Sequence, residues 1–173
     1  MQGSLAQQSR AKPLYTPEQR QRRDASRWTL VQGILAPIQF AVFLISLALV
    51  ARFLLSGEGE TAATGSIIVK TLVLYTIMIT GAIWEKVVFG QYLFAEAFYW
   101  EDMVSMLVLA LHTAYLASVL FGLLSVENQM WLALAAYATY VVNAAQFIIK
   151  LRMARLDRRT LPASSPRFAE AAE

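Results

Sequence analysis

The chain has no cysteine and a single histidine, His112, in 173 residues. Disulfides, thiolate metal sites and cysteine nucleophiles are thereby excluded, and one chain cannot build a multi-histidine metal site. Charge is scarce too. Charged residues make up 16% and apolar residues 57%, where a soluble domain is about 25% charged and 45–50% apolar. The charges that exist gather near the two ends and in short joints, leaving long apolar runs between them. With a mean hydropathy of +0.48, this is a membrane pattern. The first apolar run follows a long polar stretch with no small-residue cleavage site behind a short apolar core, so it does not read as a signal peptide. The net charge of +3 sits beside the apolar runs, where anionic headgroups account for it. No nucleic-acid partner is expected.

Four apolar spans are present, at about residues 30–55, 66–89, 103–124 and 130–151. Each reaches the ~20 residues needed to cross the hydrocarbon core. The joints, residues 56–65, 90–102 and 125–129, are short enough to make neighbouring helices antiparallel. The expected fold is an all-α membrane protein: an antiparallel four-helix transmembrane bundle over residues 14–152, with a disordered tail at 1–13 and a basic to polar tail at 153–173. Before the first span, Thr16-Pro17-Glu18-Gln19 spells a capped helix start, with Thr16 as cap, Pro17 at the first position and Gln19 closing a capping box. Four arginines follow over residues 18–27, so a short amphipathic interfacial helix is expected. Lysines and arginines crowd the flanks of the first and fourth spans and are absent from the first and third joints. Both termini are therefore expected on the cytoplasmic side.

Polar residues inside the spans fall in stripes. Intramembrane polar groups are costly and face other helices or a cavity. In span one, Gln32, Ala36, Gln39, Phe43 and Ser46 share a face, with Pro37 predicting a kink among them. Glu85 and Lys86 close span two, Glu101, Ser105 and His112 lie within a narrow arc of span three, and Thr139, Asn143, Gln146 and Lys150 share a face of span four. Most of these fall in the cytoplasmic half, so converging stripes would line a cleft that opens to the cytoplasm and closes near His112. Simpler readings stand beside this one. Gln32, Ser46 and Thr139 read first as interhelical hydrogen-bond partners. Glu85 and Lys86 read equally as an interfacial ion pair, with Lys86 snorkelling. Glu101 and Asp102 suit the first turn of a helix, where carboxylates favour the dipole. His112 reads evenly as a backbone-bonded ring or a functional one, and Arg52 and Lys70 read as headgroup anchors. The Phe, Tyr, Met and Trp content suits a large flat apolar ligand.

The stretch Trp84-Glu85-Lys86-Val87-Val88-Phe89-Gly90-Gln91-Tyr92-Leu93-Phe94, continued by Phe98-Tyr99-Trp100-Glu101-Asp102 and by Leu111-His112-Thr113-Ala114-Tyr115-Leu116, resembles the 3-vinyl (bacterio)chlorophyllide hydratases, called 2-vinyl bacteriochlorophyllide hydratases in older ring nomenclature. Tyr15-Thr16-Pro17-Glu18-Gln19-Arg20 and the stretch from Tyr137 to Gln146 are similar as well. The likeness covers about residues 14–152.

The resemblance implies a hydro-lyase of bacteriochlorophyll biosynthesis that adds water across the C3 vinyl group of chlorophyllide a or a bacteriochlorophyllide, giving a 1-hydroxyethyl group. Such a reaction needs an acid to protonate the terminal carbon, a base to take a proton from the attacking water, and no redox cofactor. Magnesium enters only as part of the substrate. Under this resemblance Glu85 or Glu101 is the acid, Asp102 or the other glutamate handles water, and His112 ligates the pigment's magnesium or donates a proton. Gln39, Lys86, Ser105, Asn143, Gln146 and Lys150 form the substrate-binding set, the amides toward ring carbonyls and Lys86 or Lys150 toward the propionate. Other pigment-synthesis enzymes are implied partners, and a homodimer stays open because four helices are few to enclose a tetrapyrrole. A non-catalytic tetrapyrrole carrier and a photosynthetic-complex assembly factor are the competing expectations.

Overall fold

A computed structural model describes residues 14–160, with side chains through residue 155. The expected disordered tail at 1–13 and the end of the C-terminal tail lie outside the described residues. Five helices follow in order: α1 (Pro17–Ala25), α2 (Arg27–Ser56), α3 (Glu60–Phe89), α4 (Tyr99–Phe121) and α5 (Val126–Thr160). The last four are long and apolar enough to cross a membrane, α5 over Val126–Arg155. The all-α membrane architecture expected from the hydropathy is thus present.

The helix ends follow local chemistry. Thr16 Oγ1 accepts from the Gln19 amide at 3.2 Å while the Gln19 side chain accepts from the Thr16 amide at 2.9 Å, the capping box that the motif predicts. Glu18, in that first turn, has its pKa held below the usual carboxylate range, chiefly by its own backbone amide and then by Thr16. The break between α1 and α2 falls at Ser26, whose hydroxyl accepts from the Trp28 amide at 3.2 Å. Helix α2 continues through Pro37, whose missing N–H leaves the Gly33 carbonyl without its helical donor. Gly57, Gly90 and Gly122 stop α2, α3 and α4 in the left-handed conformation, which costs glycine nothing.

Spans two and three start earlier than hydropathy suggested, at residues 60 and 99 rather than 66 and 103. The weakly apolar stretch 61–65 and the tyrosine, tryptophan and acids at 99–102 are helical but not hydrophobic enough to read as membrane. Helix α5 likewise runs on to Thr160, past residue 152.

The bundle is two hairpins. Helices α2 and α3 pack along their length, as do α4 and α5, while α2 meets α5 and α3 meets α4 over smaller areas. Hydrogen bonds pin the first hairpin: Trp84 Nε1 donates to Thr29 at 3.0 Å, Gln32 Nε2 to Thr80 at 2.7 Å, and the Ser46 and Ser66 hydroxyls meet at 2.7 Å. The seam between hairpins is filled by Phe43, Val50, Ile67, Leu74, Val108, Tyr115, Tyr137 and Tyr140. A smaller aromatic cluster caps the end where α3, α4 and α1 meet. Tyr15 stacks on Phe89 at 5.7 Å, Phe98 stacks on Phe147 at 5.8 Å, and Trp84 packs edge-on to Phe89 and Phe98. Burial there pushes the Tyr15 hydroxyl pKa up, against the pull of Arg23.

Candidate active site

The joint of residues 90–98 and the first turn of α4 bring six of the ten candidate residues together. Glu85, Glu101, Asp102 and Ser105 are all buried, between 3% and 7% exposed. Glu85 reaches this group from the last turns of α3 and Asp102 from the first turn of α4. Their carboxyl groups come within hydrogen-bonding reach of each other. Two consecutive backbone amides of the joint also hold them, Phe94 donating to Asp102 Oδ2 at 2.7 Å and Ala95 to Glu85 Oε2 at 3.4 Å. This double grip depends on Phe94, a bulky non-glycine residue in the left-handed region at φ 60°. That conformation turns successive N–H groups toward one anionic cluster, and it is a strained one for an aromatic residue.

Glu101 faces α5 instead, where Lys150 Nζ donates to its Oε2 at 2.5 Å. Lys150 also lies over the Phe98 ring at 5.1 Å. One turn along, Asn143 Nδ2 donates to the Glu101 carbonyl at 2.9 Å and to Ser105 Oγ at 3.0 Å, while the Ser105 hydroxyl donates to the same carbonyl at 2.8 Å. The arrangement sets two buried carboxyls side by side, with an ion pair beside them, near the helix ends. It can supply and accept protons.

The other four candidates stand apart. Lys86 is exposed; it donates to the Gly90 carbonyl at 2.7 Å and covers the Tyr92 ring at 5.3 Å. Gln146 shares the α5 face of Asn143 and Lys150, and its buried Oε1 has no partner. Gln39 is 2% exposed with neither amide atom bonded. His112 is fully buried, ten residues beyond Asp102 on α4 and therefore about 15 Å further along the axis.

The partner of His112 is a correction to the sequence reading. Lys70 is not a headgroup anchor: it is fully buried and its Nζ lies 3.0 Å from His112 Nε2. The ring's Nδ1 lies 2.8 Å from the Val108 carbonyl. The error follows from the start of α3. With the helix beginning at Glu60, Lys70 stands about 15 Å inside it, too deep for its stem to return to the interface. Phe43, Tyr137 and Tyr140 surround the ammonium, with Tyr140 nearest at 4.2 Å. The weak hydropathy of residues 61–65 conceals that depth in the sequence. An apolar recess of about 250 Å³, lined by Phe43, Leu47, Leu134, Tyr137, Ala138 and Val141, lies on the α2–α5 seam.

Comparison with known proteins bears on the whole of this region. The family described as 2-vinyl bacteriochlorophyllide hydratase (BCHF) matches residues 15–153. A protein of Cereibacter sphaeroides named 2-vinyl bacteriochlorophyllide hydratase is 69% identical over 144 residues, 83% of this chain and 89% of the relative. One of the same name from Rhodobacter capsulatus is 67% identical over 147 residues, 84% of this chain and 85% of the relative. No solved structure matches. The matched stretch contains every residue of the carboxyl cluster, the joint and the buried lysine–histidine pair, and the chain belongs to the 2-vinyl bacteriochlorophyllide hydratase family.

Proposed function

We propose that the chain hydrates the C3 vinyl group of a chlorophyllide or bacteriochlorophyllide at the Glu85–Asp102 carboxyl pair. The observation that carries this is the pair itself, two buried carboxyls from different hairpins held face to face by consecutive backbone amides. Two facing carboxyls can hydrogen bond only through a proton carried by one of them, so the pair is an acid and a base in one unit. The acid gives its proton to the terminal vinyl carbon, and the positive charge left on the inner carbon is spread over the macrocycle. A water oxygen attacks that carbon and releases its proton to the carboxylate, which restores the pair and leaves a 1-hydroxyethyl group. Nothing is oxidised or reduced, so the step calls for no redox cofactor. Magnesium arrives with the pigment as substrate.

The remaining residues have supporting roles. Glu101, fixed by Lys150, and the Ser105–Asn143 pair present polar groups to the macrocycle edge and to water. Gln146, with a free carbonyl oxygen, is placed to meet a donor on the ligand. The carboxyl cluster stands on the cytoplasmic side, where water reaches it, with both termini on that side of a bacterial inner or intracytoplasmic membrane. The basic flanks of α2 and α5 support that orientation. A second copy of the chain and a pigment-synthesis enzyme that delivers the vinyl substrate are the partners this reading proposes.

The test uses membranes carrying the protein, incubated with vinyl chlorophyllide. The expected product is one water heavier, with a blue-shifted absorption band. Glu85→Gln and Asp102→Asn are each expected to lower the rate by about a hundredfold or more, the range of a lost general acid or base. Parental rates in both variants would remove the pair from the chemistry. Pigment bound but unchanged by the parent would turn the reading toward a carrier.

A further inference from the structure

Lys70 and His112 make a second polar group in the middle of the bundle, and the proton chemistry at Glu85 and Asp102 leaves it unused. With Nδ1–H of His112 given to the Val108 carbonyl, Nε2 keeps its lone pair for Lys70. As an ammonium, Lys70 donates a hydrogen to that lone pair and is the cationic member of the two. Among the described residues Lys70 has no ion-pair partner; aromatic faces and the imidazole are what surround it. A charge in the hydrocarbon layer is costly even against ring faces, and such residues pair or mark a ligand. Gln39 sits one turn from Phe43 on the same inward face of α2, 98% buried, with its amide nitrogen and oxygen both unpartnered. A buried donor with no protein partner is one that a ligand can repay. The recess on the α2–α5 seam is lined by Phe43 and Tyr137, two of the three rings that cover Lys70. The seam is therefore the side from which a ligand in the bilayer meets this group.

We propose that Lys70 and Gln39 bind a carboxylate, with His112 holding the lysine in place, and that, resting on the hydratase reading above, this carboxylate is the unesterified acid arm of the pigment. Lys70 supplies the countercharge and a donor, and the Gln39 amide supplies a second donor. A chlorophyllide is the free acid of a pigment, so it carries the group this site lacks. The axial offset of about 15 Å between His112 and Asp102 is a span that a tetrapyrrole with an extended side arm can bridge, placing the acid arm at one group and the vinyl at the other.

The experiment titrates protein in lipid nanodiscs with vinyl chlorophyllide and with its methyl ester, following binding by the quenching of pigment fluorescence. The parent is expected to bind the free acid at least about tenfold more tightly than the ester, as the loss of a charge-assisted hydrogen bond implies. Lys70→Met is expected to bind both at the ester's level, and Gln39→Leu to lose part of the preference. The acid-to-ester ratio of the parent needs no variant, so the test holds even where Lys70→Met does not fold. A parent that binds acid and ester alike overturns the proposal, as does a folded Lys70→Met that keeps the parental ratio. A long-chain fatty acid is the third arm. If it binds in a Lys70-dependent way while the two pigments bind equally, the carboxylate comes from lipid and the pigment assignment falls. Hydration is scored separately: failure of the parent to hydrate sinks the hydratase reading, while the acid-to-ester ratio alone decides this site.

Discussion

Lys150, in the C-terminal half of α5, donates to Glu101 in the first turn of α4 at 2.5 Å, with the carboxylate side chain only 9% exposed and the ammonium 25%. The pair ties the two ends of the second hairpin together beside the Glu85–Asp102 cluster. Removing one member strands the other's charge, whereas removing both leaves nothing unpaired. Lys150→Met and Glu101→Gln are each expected to destabilise by about 1–3 kcal/mol. The double variant should cost less than their sum, with a coupling of about 0.5–3 kcal/mol. Thermal unfolding in detergent, run as a double-mutant cycle, gives the number; strict additivity would mean the pair contributes nothing.

Phe94 offers a test of the backbone grip. Its φ of 60° is free for glycine and strained for phenylalanine by roughly 1–3 kcal/mol. Phe94→Gly should keep the amide bond to Asp102 and retain most hydration activity. Phe94→Pro removes that N–H and imposes a negative φ, and its activity should fall by about tenfold or more, the effect of losing a hydrogen bond to a charged group. Equal rates in the two variants would show that the amide does not set the carboxyl in place.

Asn143 makes two hydrogen bonds across the second hairpin, to the Glu101 carbonyl and to Ser105. Interhelical bonds in membranes are individually modest. Asn143→Leu should therefore lower stability by about 0.6–1.7 kcal/mol, read from thermal unfolding. A loss far above that range would assign Asn143 a larger structural part than its bonds explain.

Gly81 is a helical glycine with room to spare. A Cβ there would meet the Gln32 side chain at 3.7 Å, an ordinary contact. Gly81→Ala should gain about 0.5–1 kcal/mol from reduced chain freedom. Activity should stay at the parental level, because Gly81 touches none of the carboxyl group. A drop in stability would mean the Gln32–Thr80 bond is less forgiving than its geometry.

Much of the architecture could be read from the chain because lipid imposes a plain rule. Backbone polar groups must be bonded within a helix, so four long apolar runs become four helices, and Thr16 with Gln19 announces the start of α1. The clustering of Glu101, Ser105, Asn143 and Lys150 was also readable, since helical spacing puts each pair on one face. Three features were not. The Lys70–His112 bond joins two hairpins, and no periodicity within one helix reveals what stands opposite it. The weak hydropathy of residues 61–65 hid how deep Lys70 lies. The conformation of Phe94 arises from a joint whose path depends on where α3 stops and α4 begins, and no local motif encodes it.

The division into hairpins has a consequence for biogenesis. Glu85 belongs to the first hairpin and Asp102 to the second, so neither half of the nascent chain holds both members of the carboxyl pair. Lys70 and His112 are divided between the hairpins in the same way, so both buried polar pairs form only when the two dock. A chain interrupted after α3 carries Glu85 and Lys70 without Asp102 and His112, the residues that stand opposite them.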